Sequence, residues 1–362
     1  MTTLILLLAL FAAPQPQFDS VFRDGLLALN RNDLPVARER LEAAAKLRPE
    51  SGETWAALAQ TYLKLQQPET ADKAAEKAQS LAGKNLLVLR ALLLYYSGRG
   101  QPNSVIEVAR KAIALENRPD LHHTLAGAYL AVNQDAKAVA ELREAVRLAP
   151  NEERYHFDLG QTLLKQQDFD GAARALEAGC KVLPKSAQLQ LALGVAYYGQ
   201  RRFPEAIERF LETIRLAPEV EQPYVFLGRI LDHAGERLPE IQQRFEAFRT
   251  RNPNNFMANF LSAKVLLAQP GSDSAEVEKR LRQSIAANDK FWESHFELGV
   301  LLSKNRKFAD AEKELRQAAD LNPKEAVPHY HLARVYDRLG KPELAAQERA
   351  LHEKLVGPTD VK

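Results

Sequence analysis

The chain has 362 residues, of which 49 are basic and 47 acidic, and its formal charge of +2 lacks the concentrated positive field that draws a protein onto a phosphate backbone. Hydrophobic residues make up 46% and charged residues 27%, the balance of a folded chain with enough apolar side chains to bury a core, which excludes wholesale disorder. Cys180 is the single cysteine, so an intrachain disulfide and any thiolate cluster for zinc or iron–sulfur are excluded as well.

At the N-terminus, residues 4–13 form an uncharged apolar run (Leu4 to Ala13) that ends at Pro14-Gln15-Pro16-Gln17. A membrane-spanning helix needs about 20 apolar residues, and this run is shorter. It has the length of the apolar region of a secretory signal, although no Lys or Arg precedes it and Leu10 and Phe11 stand where a small residue is wanted before the cut. Residues 1–17 are therefore expected to be a signal peptide with a short linker, and the chain to be exported, periplasmic or secreted. An uncleaved N-terminal anchor is the alternative. No stable membrane span is expected after cleavage.

From residue 18 to residue 356 the sequence repeats itself. Pro150, Pro184 and Pro218 are spaced by 34, and Pro253 and Pro323 continue the series with small offsets. Units begin near Phe18, Gly52, Leu86, Pro119, Glu153, Ala187, Glu221, Phe256, Trp292 and Ala326. Their eighth positions are Gly25, Ala59, Leu93, Ala126, Gly160, Gly194, Gly228, Ala263, Gly299 and Ala333, small in all but one, so a first helix must be approached closely there. The twentieth positions include Ala37, Ala71, Ala138, Ala172, Ala206, Ala311 and Ala345, where a small side chain lets a second helix cross tightly. One turn later come Leu41, Leu142, Leu176, Phe210 and Leu315 on the same helical face. Turn-prone phrases, among them Gln167-Asp168-Phe169-Asp170 and Leu339-Gly340-Lys341-Pro342, separate the two helices. Each unit reads as one helical hairpin, and residues 357–362 are left as a tail.

Trp55, Leu58, Ala59, Tyr62, Ala71 and Ala78 in one unit, and Leu193, Gly194, Tyr197, Ala206, Phe210 and Pro218 in another, resemble the tetratricopeptide repeat. The resemblance implies an all-α fold: a right-handed superhelical solenoid of about ten antiparallel helix pairs, stabilised by the stacking of neighbours. Three units depart from the pattern. The third has Leu93 and Val105 in place of small residues. The seventh has an extra residue near Gly235-Glu236-Arg237-Leu238-Pro239 and carries Phe245 and Phe248, and the eighth has about two more residues between Gln269 and Ser274. Insertions belong in exposed loops of a solenoid, so a bend or a docking feature is expected around residues 235–275.

The resemblance also implies that first helices line a concave groove with their second, fifth, ninth and twelfth positions. From the fifth unit onward these include Phe157, Gln161, Leu191, Val195, Tyr198, Val225, Arg229, Phe260, Lys264, Phe296, Val300, Tyr330 and Arg334. Aromatic and aliphatic side chains interleaved with cations suit an extended or helical peptide with hydrophobic anchors and some negative charge. The competing reading is that several of them merely pack between adjacent first helices. The ninth positions contain no Asn, so the carboxylate clamp that some family members use is not supported.

His122, His156, His295 and His329 all take the fourth place of their units, which favours packing over metal ligation, and His329 and His331 are two apart and face different ways on a helix. Cys180, beside Gly179, reads as a small packing residue. Phosphate-binding, dinucleotide-binding and nucleophile-elbow motifs are missing, and no cofactor or metal is expected. The resulting expectation is a non-enzymatic scaffold that binds a protein or peptide in its groove, in the bacterial envelope or outside the cell. A substrate-recruiting or regulatory subunit of a separately encoded enzyme is the alternative. An RNA-binding helical repeat is a further one, opposed by the near-zero charge and the export-like start.

Overall fold

The structure, a computed structural model, describes residues 16–357. The apolar run Leu4 to Ala13, and with it the expected signal peptide, lies outside the described residues, as do residues 358–362 of the tail. Among the described residues there are twenty α-helices and no strand, and no helix is long and apolar enough to cross a membrane.

The helices fall into two units, divided after Pro184. The first contains the hairpins α1 (Pro16–Asn30) and α2 (Leu34–Leu47), α3 (Gly52–Lys64) and α4 (Pro68–Leu81), α5 (Leu86–Gly98) and α6 (Pro102–Leu115), α7 (Pro119–Ala131) and α8 (Asp135–Leu148), and α9 (Glu153–Lys165) and α10 (Phe169–Val182). The second contains α11 (Ala187–Gly199) and α12 (Phe203–Leu216), α13 (Gln222–Arg229) and α14 (Leu238–Arg251), α15 (Phe256–Leu267) and α16 (Ser274–Ala287), α17 (Trp292–Lys304) and α18 (Phe308–Leu321), and α19 (Ala326–Arg338) and α20 (Pro342–Val356). Eight of the ten expected unit starts coincide with the first residue of a helix. The first helix starts two residues earlier than expected, at Pro16, and the seventh unit's starts one later, at Gln222.

Local chemistry explains the boundaries. Ser51, Asn85, Asp168, Ser186 and Asn255 cap their helices by accepting a backbone N–H two or three residues on. Proline opens α4, α6, α7 and α20, where its missing N–H would have no partner anyway. First helices end in a Schellman turn: the N–H groups of Gln67 and Arg202 reach back five residues to the carbonyls of Tyr62 and Tyr197, each at 2.9 Å. The residue before the closing N–H is left-handed, and in six hairpins it is not glycine but Asn32, Gln66, Asn133, Gln167, Arg201 or Arg306, at φ between 56° and 60°.

The small and large positions turn out to be two halves of one contact. Leu41 seats on Gly25, Leu176 on Gly160, Phe210 on Gly194 and Leu315 on Gly299, in each case sixteen residues apart. A Cβ on Gly160 would lie 2.4 Å from Leu176 Cδ2, and one on Gly194 would lie 2.6 Å from Phe210 Cε1. All seven alanines of the twentieth position are fully buried. The third repeat keeps the hairpin despite its larger residues: Leu93 and Val105 are buried, and Tyr95 donates to Asp72 at 2.7 Å while Arg99 bridges the same carboxylate at 2.8 Å, tying α5 to α4.

Repeat seven departs further than a loop insertion. Its first helix has 8 residues where α11 has 13, and two short 3-10 turns at Leu231–His233 and Gly235–Arg237 follow it. With one extra residue before Phe245, no large side chain of α14 meets Gly228, and Leu261 of α15 takes that place instead. Helix α13 packs on α12 and α15, and meets α14 mainly through Tyr224, whose ring stacks on Phe248 at 4.3 Å.

Candidate binding face of the first helices

The fourth place of each repeat has a recurring structural task. Trp55, His156, Tyr224, Asn259 and His295 each donate to the carbonyl six residues upstream, at Pro49, Pro150, Pro218, Pro253 and Asp289, over distances of 2.8–3.0 Å. Indole, imidazole, phenol and amide all fill this role because it needs only one donor at the end of a flat or short side chain. Three histidines of this place also reach the second helix: Nδ1 of His122, His295 and His329 meets Glu141, Glu314 and Glu348 at 2.5, 2.7 and 2.6 Å, while Nε2 of His122 meets the Asn117 side chain and Nε2 of His329 has no partner among the described residues. Burial pulls the His295 imidazole down, but the Glu314 carboxylate and the Asp289 carbonyl outweigh it and hold its pKa above the ordinary value. These side chains stitch a hairpin to its own turn. Cys180 is buried, and a Cβ on its neighbour Gly179 would lie 3.0 Å from His156 Cβ.

In the first unit, Phe157 is half-buried and Gln161 is exposed, beside His123, Asp158 and Lys165 in a cleft between α7 and α9. Charges on successive first helices pair there: Arg90 with Asp120 at 3.1 Å and His123 with Asp158 at 2.6 Å.

The remaining candidates lie in the second unit. Leu191, Val195, Tyr198, Val225, Lys264, Phe296 and Val300 are half-buried, and Arg229 and Arg334 are exposed. Tyr330 is the most open ring of the set at 43%, whereas Phe260 is only 6% exposed, its ring edge-on to Phe291 at 5.0 Å. Phe260 thus supports the face from beneath. Cations on these helices lie over rings of the preceding turn: Arg229 over Phe226 at 5.9 Å, Lys264 over Phe260 at 5.9 Å and Arg334 over Tyr330 at 5.6 Å. Phe226, overlooked in favour of Val225, links Tyr198 (5.3 Å, edge to face) to Phe210 (5.0 Å, stacked).

Two carboxylates were also missed. Glu293 and Glu297 stand one turn apart on α17, and burial raises both above the usual carboxylate range against the opposing pull of Lys264. Glu293 Oε2 is buried without a hydrogen-bond partner, and Glu297 makes no hydrogen bond or ion pair among the described residues. Arg229, Lys264, Lys304 and Arg334 are likewise unpaired. Burial, then the charges of Arg334 and Lys304, lowers the pKa of His331, whose ring meets Phe296 at 5.4 Å. The second helices of the same unit behave differently: Glu205, Glu212, Glu276, Glu278 and Glu312 bridge Arg202, Arg215, Arg280, Arg282 and Arg316 at 2.6–2.9 Å. Among the described residues, no group of three or more His, Cys, Asp or Glu side chains comes together as a metal site.

Comparison with known proteins agrees with this architecture. Two family models, each described as tetratricopeptide repeat, match residues 52–85 and 119–152, and residues 157–221 and 296–354. A TPR repeat-containing protein of Pseudomonas aeruginosa is 39% identical over 104 residues, which are 27% of this chain and 40% of that protein. The chain thus spans well under half the length of this curated relative. Among solved structures, YrrB, titled a TPR protein with an unusual peptide-binding site, shares 20% identity at a TM-score of 0.43, over 52% of this chain and 97% of that one. Yeast Tom70 shares 13% identity at a TM-score of 0.44, over 93% of this chain and 92% of that one. With its matched segments in phase with the helical hairpins, the chain belongs to the tetratricopeptide repeat family.

Proposed function

We propose that the chain is a non-enzymatic interaction scaffold, exported to the bacterial envelope or beyond, which holds a segment of a protein or peptide partner against the first helices of its second unit. The observation that carries this reading is the contrast in charge pairing. Acids on the second helices bridge basic neighbours, which solvates the outer surface, while Arg229, Lys264, Glu293, Glu297, Lys304 and Arg334 on the first helices have no ionic partner among the described residues. Half-buried rings and aliphatic side chains lie between them, the mixture that anchors an apolar side chain and orients it by charge.

The test is selection of a random twelve-residue peptide library on the full-length chain. Tyr330→Ala with Arg334→Ala, both exposed and so expected to leave the circular dichroism spectrum unchanged, should reduce enrichment of the selected peptides at least about tenfold. Equal enrichment by the folded double variant would remove this face from the binding site. Export is tested by fractionating cells that express the C-terminally tagged chain: recovery from the cytoplasm alone, with residues 1–13 retained, contradicts it.

A further inference from the structure

The unpaired charges of the second unit have an order, and that order describes a partner. Resting on the groove reading above, we infer that Glu293 and Glu297 form a receptor for a lysine or arginine side chain of the bound segment, with acidic residues of the same segment on either side of it. The two carboxylates share one face of α17 and are half-buried; Glu293 Oε2 has no hydrogen-bond partner, Glu297 makes no hydrogen bond or ion pair, and the one donor to Glu293 among the described residues is its own backbone N–H. Lys264 forms no ion pair with either among the described residues and lies over the Phe260 ring. A carboxylate oxygen left buried and unbonded is costly, and a ligand cation would remove that cost.

The surroundings suit a long basic side chain better than a compact ion. Trp292 and Phe296 lie on the same helix as the carboxylates, half-buried, their rings 6.1 Å apart. Apolar walls of this kind cover the methylene stem of Lys or Arg while its head reaches the acids. Arg229 and Lys264 stand on the preceding first helices, α13 and α15, and Arg334 on the following one, α19, none of them in an ion pair among the described residues, so a segment crossing the first helices meets positive, negative and again positive charge. Packed helices lie about 8–10 Å apart and an extended chain advances roughly 3.3 Å per residue, so each flanking acid falls about three residues from the basic one.

Three fluorescein-labelled peptides test this directly. Each has the same apolar frame and an Asp three residues to either side of a central lysine, norleucine or glutamate. Binding to the full-length chain is read by fluorescence polarisation. The lysine peptide should bind about tenfold more tightly than the norleucine peptide, the worth of a charge-assisted hydrogen bond, and the glutamate peptide should be weakest. In E293Q/E297Q the lysine and norleucine peptides should become equal, and in E293K/E297K the order of lysine and glutamate should invert. Equal binding of lysine and norleucine by the unaltered chain overturns the inference and leaves the groove reading in place, and that comparison needs no variant to fold. Failure of all three peptides, together with failure of the random library, overturns both.

Discussion

Repeats six and seven are adjacent in the second unit and carry the same glycine at the eighth position, yet they solve the hairpin differently. In repeat six, Phe210 follows Gly194 by sixteen residues and its ring fills the hollow over the glycine, so α11 and α12 pair along their length. In repeat seven, Phe245 follows Gly228 by seventeen, and one residue is a rotation of about 100° on a helix. The large side chain no longer faces the hollow, Leu261 of the next repeat enters it, and α13 stops at Arg229. An insertion that was expected to loop out into solvent therefore reaches the packing. Gly235 to Arg237 are indeed exposed, but the first helix loses its last turn and a neighbouring hairpin takes over part of its core. The lesson is that the spacing between the small and the large residue, more than the turn between them, decides whether the two helices of a hairpin are each other's main partners.

The largest effect should come from removing the large half of the contact. Phe210→Ala is expected to lose about 3–5 kcal/mol, read as a lower urea midpoint, because a fully buried ring leaves a cavity walled by Gly194 and Phe226. A loss under about 1 kcal/mol would mean that repeat six is no better fitted than repeat seven. Filling the small half comes next. Gly194→Ala drives a methyl into the Phe210 ring and the Arg209 Cβ and should cost about 1–3 kcal/mol, whereas Gly228→Ala meets one terminal methyl of Leu261 and should cost less than about 1 kcal/mol. Equal costs would erase the contrast.

The turns offer a smaller effect of opposite sign. Arg201 holds φ at 60° in repeat six, while repeat seven has Gly235 at 49°, so Arg201→Gly should stabilise by up to about 1 kcal/mol, and Gly235→Arg should destabilise by a similar amount. The smallest effect concerns the binding face. A carboxyl whose folded pKa is raised holds its proton more tightly in the folded state, so ionisation removes stability as pH climbs through and beyond 4.5, the ordinary glutamate value. Glu297→Gln, which cannot ionise, should raise Tm by on the order of 1–2 °C near pH 7 and leave it unchanged near pH 4. The same gain at both pH values would show that charge is not its source.

The repeat phase was legible because each hairpin needs the same few contacts at the same spacing. Small residues at the eighth and twentieth positions, caps such as Ser51 and Ser186, and helix-opening prolines located eight helix starts to the residue. The histidines of the fourth place were legible as structural from position alone, and their bonds to upstream carbonyls and to Glu141, Glu314 and Glu348 show why the place tolerates several residue types. The candidate face was only half legible. Period picked out Tyr330, Arg334 and Lys264, but it also picked Phe260, which is buried, and passed over Phe226, Glu293 and Glu297.

What the sequence by itself determined, then, is the hairpin, its register and its family, since these depend on residues within one or two turns of each other and on a period repeated ten times. Tertiary structure alone decided which side chain fills each hollow and which charges find a partner. Leu261 displaces Phe245 at Gly228, Glu314 bonds His295, and Glu297 has no ionic partner among the described residues. The physical reason is that pairing and burial depend on distances between helices contributed by different repeats, and a residue's place in its own repeat carries no information about how far its neighbour's side chain reaches.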